Sequence, residues 1–233
     1  MLKRTLPFLT ACIAVAGLVG CKSSDSKSAS AEARIATEED KPFLKPEPIN
    51  SNTQLAAGRL AESQGRFDDA IANYRACLRA DANNKQAIYR LAITFTLAKR
   101  VDEALAAWQR YVQVTNDSPD ALANLAYTHQ LAGHWKEAEV NYLRALTADP
   151  KCKYARVNYG LLLVNRDRLD EAESHLGMVL TPPQVEYNIA SVFELRGMVA
   201  EARKHYLEAV RLDPDFREAQ TRLRMLDAQA SVK

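Results

Sequence analysis

The segment HWKEAE (residues 134–139) contains residue types that are common in metal and acid–base sites. A histidine followed by two carboxylates could hold a cation or transfer a proton. His129 lies five residues earlier, so His129, His134 and Glu137 form the chain's best candidate for an enzyme site. The two histidines are separated by a predicted turn and do not share one helix face, which argues against metal-ligand spacing. Whether HWKEAE is a site or scaffold depends on whether its positions recur elsewhere.

The chain repeats from residue 51 onward with a period of 34 residues. Gly65 and Gly133, which are two periods apart, and Gly197 occupy one column of this repeat. The twentieth position of each unit is alanine, at Ala70, Ala104, Ala138, Ala172 and Ala202. The twenty-fourth position is large, at Tyr74, Trp108, Tyr142, Leu176 and Tyr206. An acid precedes the alanine each time, at Asp69, Glu103, Glu137, Glu171 and Glu201. Glu137 is therefore one member of a recurring structural column.

Each unit reads as two amphipathic helices, because apolar residues recur at three- and four-residue steps in each half. Small residues at the eighth and twentieth positions would let the two helices approach closely, with the large residue filling the space beside them. The acid falls in the first turn of the second helix, where it complements the helix dipole. Gly65, Gly133 and Gly197 fall at the turn between the helices, where positive φ is required. Asp167 and Lys99 occupy the same place in the other units.

These columns resemble the tetratricopeptide repeat (TPR), and the likeness covers residues 51–216. It implies an all-α fold, a right-handed superhelical solenoid of antiparallel helix pairs that bury their apolar faces by stacking. The predicted units are residues 51–84, 85–118, 119–152, 153–182 and 183–216, followed by a C-terminal capping helix and tail at 217–233. The fourth unit is four residues short, and Pro182 and Pro183 are predicted to cut its second helix and change the superhelix pitch there.

The repeat predicts no catalytic residue, no metal site and no cofactor. His134 is equivalent to Arg66, Arg100, Arg168 and Met198, so it is predicted to be an exposed turn residue. Cys77 occupies a column of mostly small residues and is predicted to lie in the core. Cys77 and Cys152 are predicted to be too far apart for a disulfide. A helical enzyme built on His129, His134 and Glu137 remains the alternative from another functional class.

The resemblance further implies that the first helix of each unit lines a concave groove that binds a protein or peptide. The candidate groove residues are Tyr89, Arg90, Ile93, Asn124, Tyr127, Tyr154, Asn158, Leu161, Tyr187 and Asn188. The asparagines occupy one position in three successive units, and an amide can pair with any peptide backbone. With Arg90, Asp120 and Glu194 as the few charges, we expect an extended or helical apolar ligand. Alternatively, these side chains serve only to pack one repeat against the next.

The first twenty residues are predicted to be a secretory signal, because Lys3 and Arg4 precede a short apolar run. Its end, LVGC at 18–21, resembles the bacterial lipobox, which implies cleavage before Cys21 and lipidation of that cysteine. Residues 21–50 are polar and are predicted to form a flexible tether. Lys22 in place of aspartate implies the outer membrane, facing the periplasm. The alternative is a plain signal followed by a soluble periplasmic protein.

Lys3 and Arg4 also account for the formal net charge of +2, so the rest of the chain is near neutral and nucleic acid is not expected as a partner. The sequence thus predicts a membrane-anchored scaffold for another protein of the bacterial cell envelope. The chain resembles bacterial lipoproteins that act in pilus assembly or secretion, and also lipoproteins that serve as adaptors for cell-wall hydrolases or proteases. No residue separates these two possibilities.

Overall fold

The computed structural model describes residues 50–230, and within them the chain forms eleven α-helices and no strand. The first helices of the pairs, called A helices, are α1 (Ser51–Ser63), α3 (Lys85–Leu97), α5 (Pro119–Leu131), α7 (Lys153–Asn165) and α9 (Pro182–Leu195). The second, B helices are α2 (Phe67–Ala80), α4 (Val101–Val114), α6 (Trp135–Ala148), α8 (Leu169–Gly177) and α10 (Val199–Leu212). A final helix, α11 (Arg217–Ala230), follows. The predicted all-α solenoid is confirmed.

The predictions for the signal segment, Cys21 and the tether up to residue 49 lie outside the described residues, as do residues 231–233. None of the helices within residues 50–230 is long and apolar enough to cross a bilayer.

Each helix pair is held together by the small and large columns found in the sequence. All five alanines of the twentieth position are fully buried, and the large side chains of the twenty-fourth position are at most 2% exposed. The fit is tightest where the eighth residue is glycine. A Cβ atom placed on Gly58 would lie 2.4 Å from Tyr74 Cε1, and one on Gly160 would lie 2.6 Å from Leu176 Cγ. Close helix approach therefore depends on the missing side chain at these two glycines.

The A helices form the inner layer of the solenoid. The A helices contact one another directly in three of four consecutive pairs, α1–α3, α5–α7 and α7–α9, whereas α3–α5 and every consecutive pair of B helices within the described part of the chain make at most marginal contact. A stack whose one layer is close-packed and whose other layer is spread apart must curve toward the close-packed layer. The concave surface is therefore built from the A helices.

The helix boundaries follow from local chemistry. The A helices α1, α3 and α5 are capped by Asn50, Asn84 and Ser118, whose side-chain oxygens accept hydrogen bonds from backbone N–H groups three residues later. The B helices α2, α4, α6, α8 and α10 have no side-chain cap, but each carries an acid in its first turn.

The turns between A and B helices adopt the predicted positive φ in every unit. The values are 71° at Gly65, 77° at Gly133 and 75° at Gly197, and Lys99 and Asp167 both have φ of 59°. The sequence analysis did not predict two further left-handed residues, Asn116 and Asp117, with φ of 53° and 58° in the loop before α5. Asn and Asp tolerate this conformation better than other non-glycine residues.

The second helix of the fourth unit is short, as predicted, but the two prolines are not the cause. Helix α8 has 9 residues, whereas the other B helices have 14. It ends at Gly177, four residues before Thr181, so the prolines do not terminate it. Pro182 and Pro183 instead begin α9, where a missing N–H costs nothing. The Thr181 N–H is bonded to Gln184 Oε1 at 3.1 Å. The predicted change in pitch remains a prediction.

Candidate binding groove

The predicted groove tyrosines lie on the A layer, and their rings pack partly against the core. The Tyr89 ring centroid is 5.6 Å from that of Trp108 and 5.2 Å from that of Tyr111. At the other end, the Tyr187 centroid lies 5.5 Å from Tyr206 and 5.2 Å from Phe216. These aromatic contacts restrict the rings of Tyr89 and Tyr187, so these two tyrosines present a rigid surface.

Three tyrosine hydroxyls on this layer, and that of Tyr111 on the B helix α4, make no hydrogen bond within the described part of the chain. Within residues 50–230, the hydroxyls of Tyr89, Tyr111, Tyr127 and Tyr187 have no hydrogen-bond partner in the protein. All four side chains are half-buried rather than fully enclosed. The phenol groups of Tyr89, Tyr127 and Tyr187, on A helices, are therefore available to a ligand that approaches the concave surface.

Tyr154, in the fourth unit, interacts electrostatically with tyrosines of the second and third units. Burial raises the pKa of Tyr154 well above its ordinary value of 10.0, and Tyr127, Tyr89 and the carboxylate of Asp120 raise it further. Burial likewise raises the pKa of Tyr111, with smaller contributions from Tyr89 and Asp120. Tyr154 on α7 thus lies within electrostatic reach of Tyr127, Tyr89 and Asp120. Tyr111, on the B helix α4, lies within reach of Tyr89 and Asp120.

The three predicted asparagines make the same internal contact. Asn124, Asn158 and Asn188 each donate Nδ2 to the backbone carbonyl four residues earlier, at 2.8, 3.0 and 2.7 Å. All three are partly exposed. This bond uses one N–H of each amide and leaves every carbonyl oxygen. The second N–H is also left at Asn124 and Asn188, whereas the Asn158 amide interacts with the Tyr154 side chain as well. A free donor and acceptor are what pairing with a peptide unit requires.

The remaining candidates lie on the same layer, but several are engaged by the fold. Arg90 Nη1 is 3.4 Å from Glu62 Oε1, on the preceding A helix. Ile93 is 9% exposed and belongs to the core, so it presents little surface. Leu161 is half-buried against the core. Glu194, predicted as a groove charge, is paired with Arg222 of α11. Asp120 is exposed and has no ion-pair partner within residues 50–230.

The sequence analysis missed a hydrogen-bonding column that joins the two helices of each pair. The twenty-fourth residue donates to the twelfth residue of its own unit in four units: Tyr74 to Glu62 at 2.6 Å, Trp108 to Thr96 at 3.2 Å, Tyr142 to Gln130 at 3.3 Å and Tyr206 to Glu194 at 2.8 Å. The fourth unit has Val164 and Leu176 at these places, both fully buried. In this unit the twelfth and twenty-fourth residues are both apolar. This paired replacement was the signal in the sequence that could have revealed the column.

The candidate enzyme site is partly assembled. The turn brings the ring centroids of His129 and His134 to 5.8 Å, closer than the sequence interpretation allowed. Burial and, to a lesser extent, His134 lower the pKa of His129 below its ordinary value of 6.5, and its Nδ1 is buried without a hydrogen-bond partner. His134 and Glu137 are exposed. No group of three residues able to hold a metal ion occurs within residues 50–230.

The cysteines are placed as predicted. Cys77 is fully buried in the core, and Cys77 and Cys152 are both free thiols. Cys152 Sγ lies 3.7 Å from Asp120 Oδ1. Burial raises the pKa of both thiols, so neither is an activated nucleophile.

The fold and its concave layer define a helix-pair solenoid of the kind that binds polypeptides. Models of the family described as "Tetratricopeptide repeat" match residues 55–121, 123–177 and 185–216, which is well over half of the chain. The chain therefore belongs to the tetratricopeptide-repeat family.

Similar proteins agree with this assignment. Tetratricopeptide repeat protein 8 of Caenorhabditis elegans is 26% identical over 167 residues, which is 69% of this chain and 33% of that protein. The chain thus spans about a third of that relative's length. Among solved structures, MamA aligns with a TM-score of 0.58 at 20% identity over 73% of this chain and 95% of that one. YrrB, described as a TPR protein with an unusual peptide-binding site, aligns at 0.53 and 20% identity over 75% and 92%.

Proposed function

We propose that this chain is a membrane-anchored TPR scaffold that holds a segment of another cell-envelope protein in the concave groove of its A layer. The observation that carries the proposal is the set of polar groups the fold leaves unused on that layer. These groups are the tyrosine hydroxyls of α3, α5 and α9, the carbonyl oxygen of each of the three asparagines, and the second N–H of Asn124 and Asn188. The peptide-binding site attributed to YrrB supports a peptide ligand for this fold.

The asparagine row is suited to hold the backbone of an extended peptide. Consecutive A helices lie side by side, so Asn124 and Asn158 repeat at the spacing of the stack, one per helix. Each can accept from a peptide N–H, and Asn124 can also donate to a peptide C=O, whatever the peptide's side chains are. The tyrosine rings beside them supply rigid apolar area with little entropy lost on binding. Both elements favour affinity with limited sequence selectivity.

The test replaces Asn124, Asn158 and Asn188 together by alanine. The matched control is Asn73→Ala, because Asn73 on the B helix α2 donates Nδ2 to the Asp69 carbonyl at 2.8 Å, the same internal bond outside the groove. We expect the triple variant to lose about ten-fold or more in affinity for the native partner, since each buried amide contact contributes ~0.5–1.5 kcal/mol. Asn73→Ala should bind normally.

Thermal melting of both variants separates binding from folding, since each change removes the same kind of internal bond. Unaltered partner capture by the triple variant would remove the asparagine row from the proposal. Equal loss in the triple variant and in Asn73→Ala would show that the residues matter only for stability.

The membrane anchor is proposed from the sequence motif LVGC at 18–21, with lipid on Cys21 and the outer membrane, periplasmic face, as the location. Mass spectrometry of the mature amino terminus should find an acylated cysteine. Cys21→Ser should release the protein into the soluble fraction. An unmodified amino terminus would leave a soluble periplasmic scaffold.

The role in pilus assembly or secretion is proposed from the resemblance of the whole chain to lipoproteins of that kind. Cross-linking in cells followed by identification of the captured protein tests it. A pore-forming or pilus component supports this role, whereas a hydrolase or protease would favour the adaptor role instead.

A further inference from the structure

Tyrosine rings of α3, α4, α5 and α7 surround the middle of the solenoid together with Asp120, a carboxylate that has no ion-pair partner within residues 50–230. Tyr89 and Tyr111 come from the second unit, Tyr127 and Asp120 from the third, and Tyr154 from the fourth. We call these five residues the tyrosine–aspartate pocket. The pocket therefore exists only when three consecutive repeats are stacked.

One ring contact, one thiol contact of Asp120 and the electrostatic reach of its carboxylate relate the members of the pocket. The Tyr89 and Tyr111 rings are tilted by 49° at a centroid distance of 5.2 Å. Asp120 Oδ1 lies 3.7 Å from the Cys152 thiol, two residues before Tyr154 in the chain. Asp120 also lies within electrostatic reach of the Tyr111 and Tyr154 phenols, since its charge adds to the rise in the pKa of each.

The carboxylate of the pocket has no cationic partner in the part of the chain that the structure describes. Asp120 is exposed, and within residues 50–230 no lysine, arginine or histidine pairs with it. Arg90, the cation on the neighbouring A helix, is engaged by Glu62. Arg156, near the start of α7, is engaged by the Pro150 carbonyl at 2.6 Å and faces His175 Nδ1 at 3.2 Å. The pocket is thus left with one negative charge beside four half-buried tyrosine rings.

We infer that the tyrosine–aspartate pocket binds a lysine or arginine side chain of the segment held in the groove. A cation is attracted by tyrosine faces and by a carboxylate at the same time. The phenol hydroxyls and the Asn124 and Asn158 carbonyl oxygens are acceptors for its N–H groups. An acidic side chain would meet Asp120 and be repelled. The ligand is therefore a basic and apolar segment, rather than the purely apolar one expected from the sequence.

This inference rests on the proposed peptide-binding function, and its test uses defined peptides rather than the native partner. The probe is a pentapeptide with acetylated and amidated ends and one central lysine, compared with versions carrying norleucine, arginine or glutamate there. Fluorine NMR of chain labelled with fluorotyrosine reports on each of the nine tyrosines. Single Tyr→Phe substitutions assign the signals.

We expect the lysine and arginine peptides to shift the signals of Tyr89, Tyr127 and Tyr154, and to bind roughly 3- to 10-fold more tightly than the norleucine peptide. The preference should weaken as salt is raised, because exposed charges are screened. Asp120→Asn should abolish the preference. The matched control is Asp102→Asn, an exposed first-turn aspartate on the B helix α4, which should keep it.

Equal binding of the lysine and norleucine peptides would overturn the cation pocket while leaving the groove as a binding surface. Tighter binding of the glutamate peptide, or no shift of these tyrosines with any peptide, would also overturn it. The asparagine variants and native partner decide the proposed function separately. The two proposals can therefore fail independently.

Discussion

Replacing Gly160 by alanine tests the packing on which the helix pairs depend. The new methyl carbon would lie 2.6 Å from Leu176 Cγ and 2.7 Å from Cδ2, both too close without a shift. Overpacking of a core costs ~1–3 kcal/mol. Alanine in place of a glycine inside a helix stabilises the helix by ~0.5–1 kcal/mol. The net effect should be a loss of ~1–2 kcal/mol in the free energy of unfolding.

Gly177→Ala is the matched control, because Gly177 ends α8 and no atom lies within 4 Å of a Cβ placed there. It should be neutral or stabilising by up to ~1 kcal/mol. Urea unfolding followed by circular dichroism measures both variants. Amide hydrogen exchange in α7 and α8 shows whether the change is local, since a repeat array need not unfold as one unit. If Gly160→Ala stabilises the chain as much as Gly177→Ala does, the close-packing argument is refuted.

Two further predictions concern buried polar groups. Tyr206→Phe removes a hydroxyl that donates to Glu194 at 2.8 Å, and should cost ~1–2 kcal/mol in urea unfolding, whereas Tyr127→Phe removes an unpaired hydroxyl and should cost little. The pKa of His129 lies below 6.5 in the folded state, so the unfolded chain binds more protons at this residue as the pH falls through 6.5. The folded state is therefore not penalised by His129 above pH 6.5 and loses stability as the pH falls below it. His129→Gln should therefore reduce the loss of stability between pH 7 and pH 5, measured by thermal melting. Unchanged pH dependence in His129→Gln would contradict this assignment.

The features that could be predicted from the sequence are those that every repeat must satisfy. Positions such as Ala70 and Tyr74 recur in five units because the same close contact between two helices recurs, so periodicity alone identifies the core. The positive φ of Lys99 could be predicted although the residue disfavours it, because its place in the column was fixed by glycines in other units.

What could not be predicted depends on contacts between particular side chains. The left-handed pair at Asn116 and Asp117 occurs in one loop, so no column reveals it. The approach of His129 and His134 depends on how a turn folds back, which their helix faces do not indicate. The ion pair between Arg90 and Glu62 could not be predicted, because it depends on the distance between two A helices. These specific contacts determine which groove residues remain available to a ligand.

The most direct test of the central claim places a photo-cross-linking amino acid on each layer of the solenoid. Val157, half-buried on the A helix α7, samples the concave side, and Val140, 55% exposed on the B helix α6, samples the outer layer. In cells producing the native chain, cross-linking from Val157 should capture a polypeptide, and replacing Asn124, Asn158 and Asn188 by alanine should reduce the yield. Capture from Val140 with none from Val157 would contradict the account.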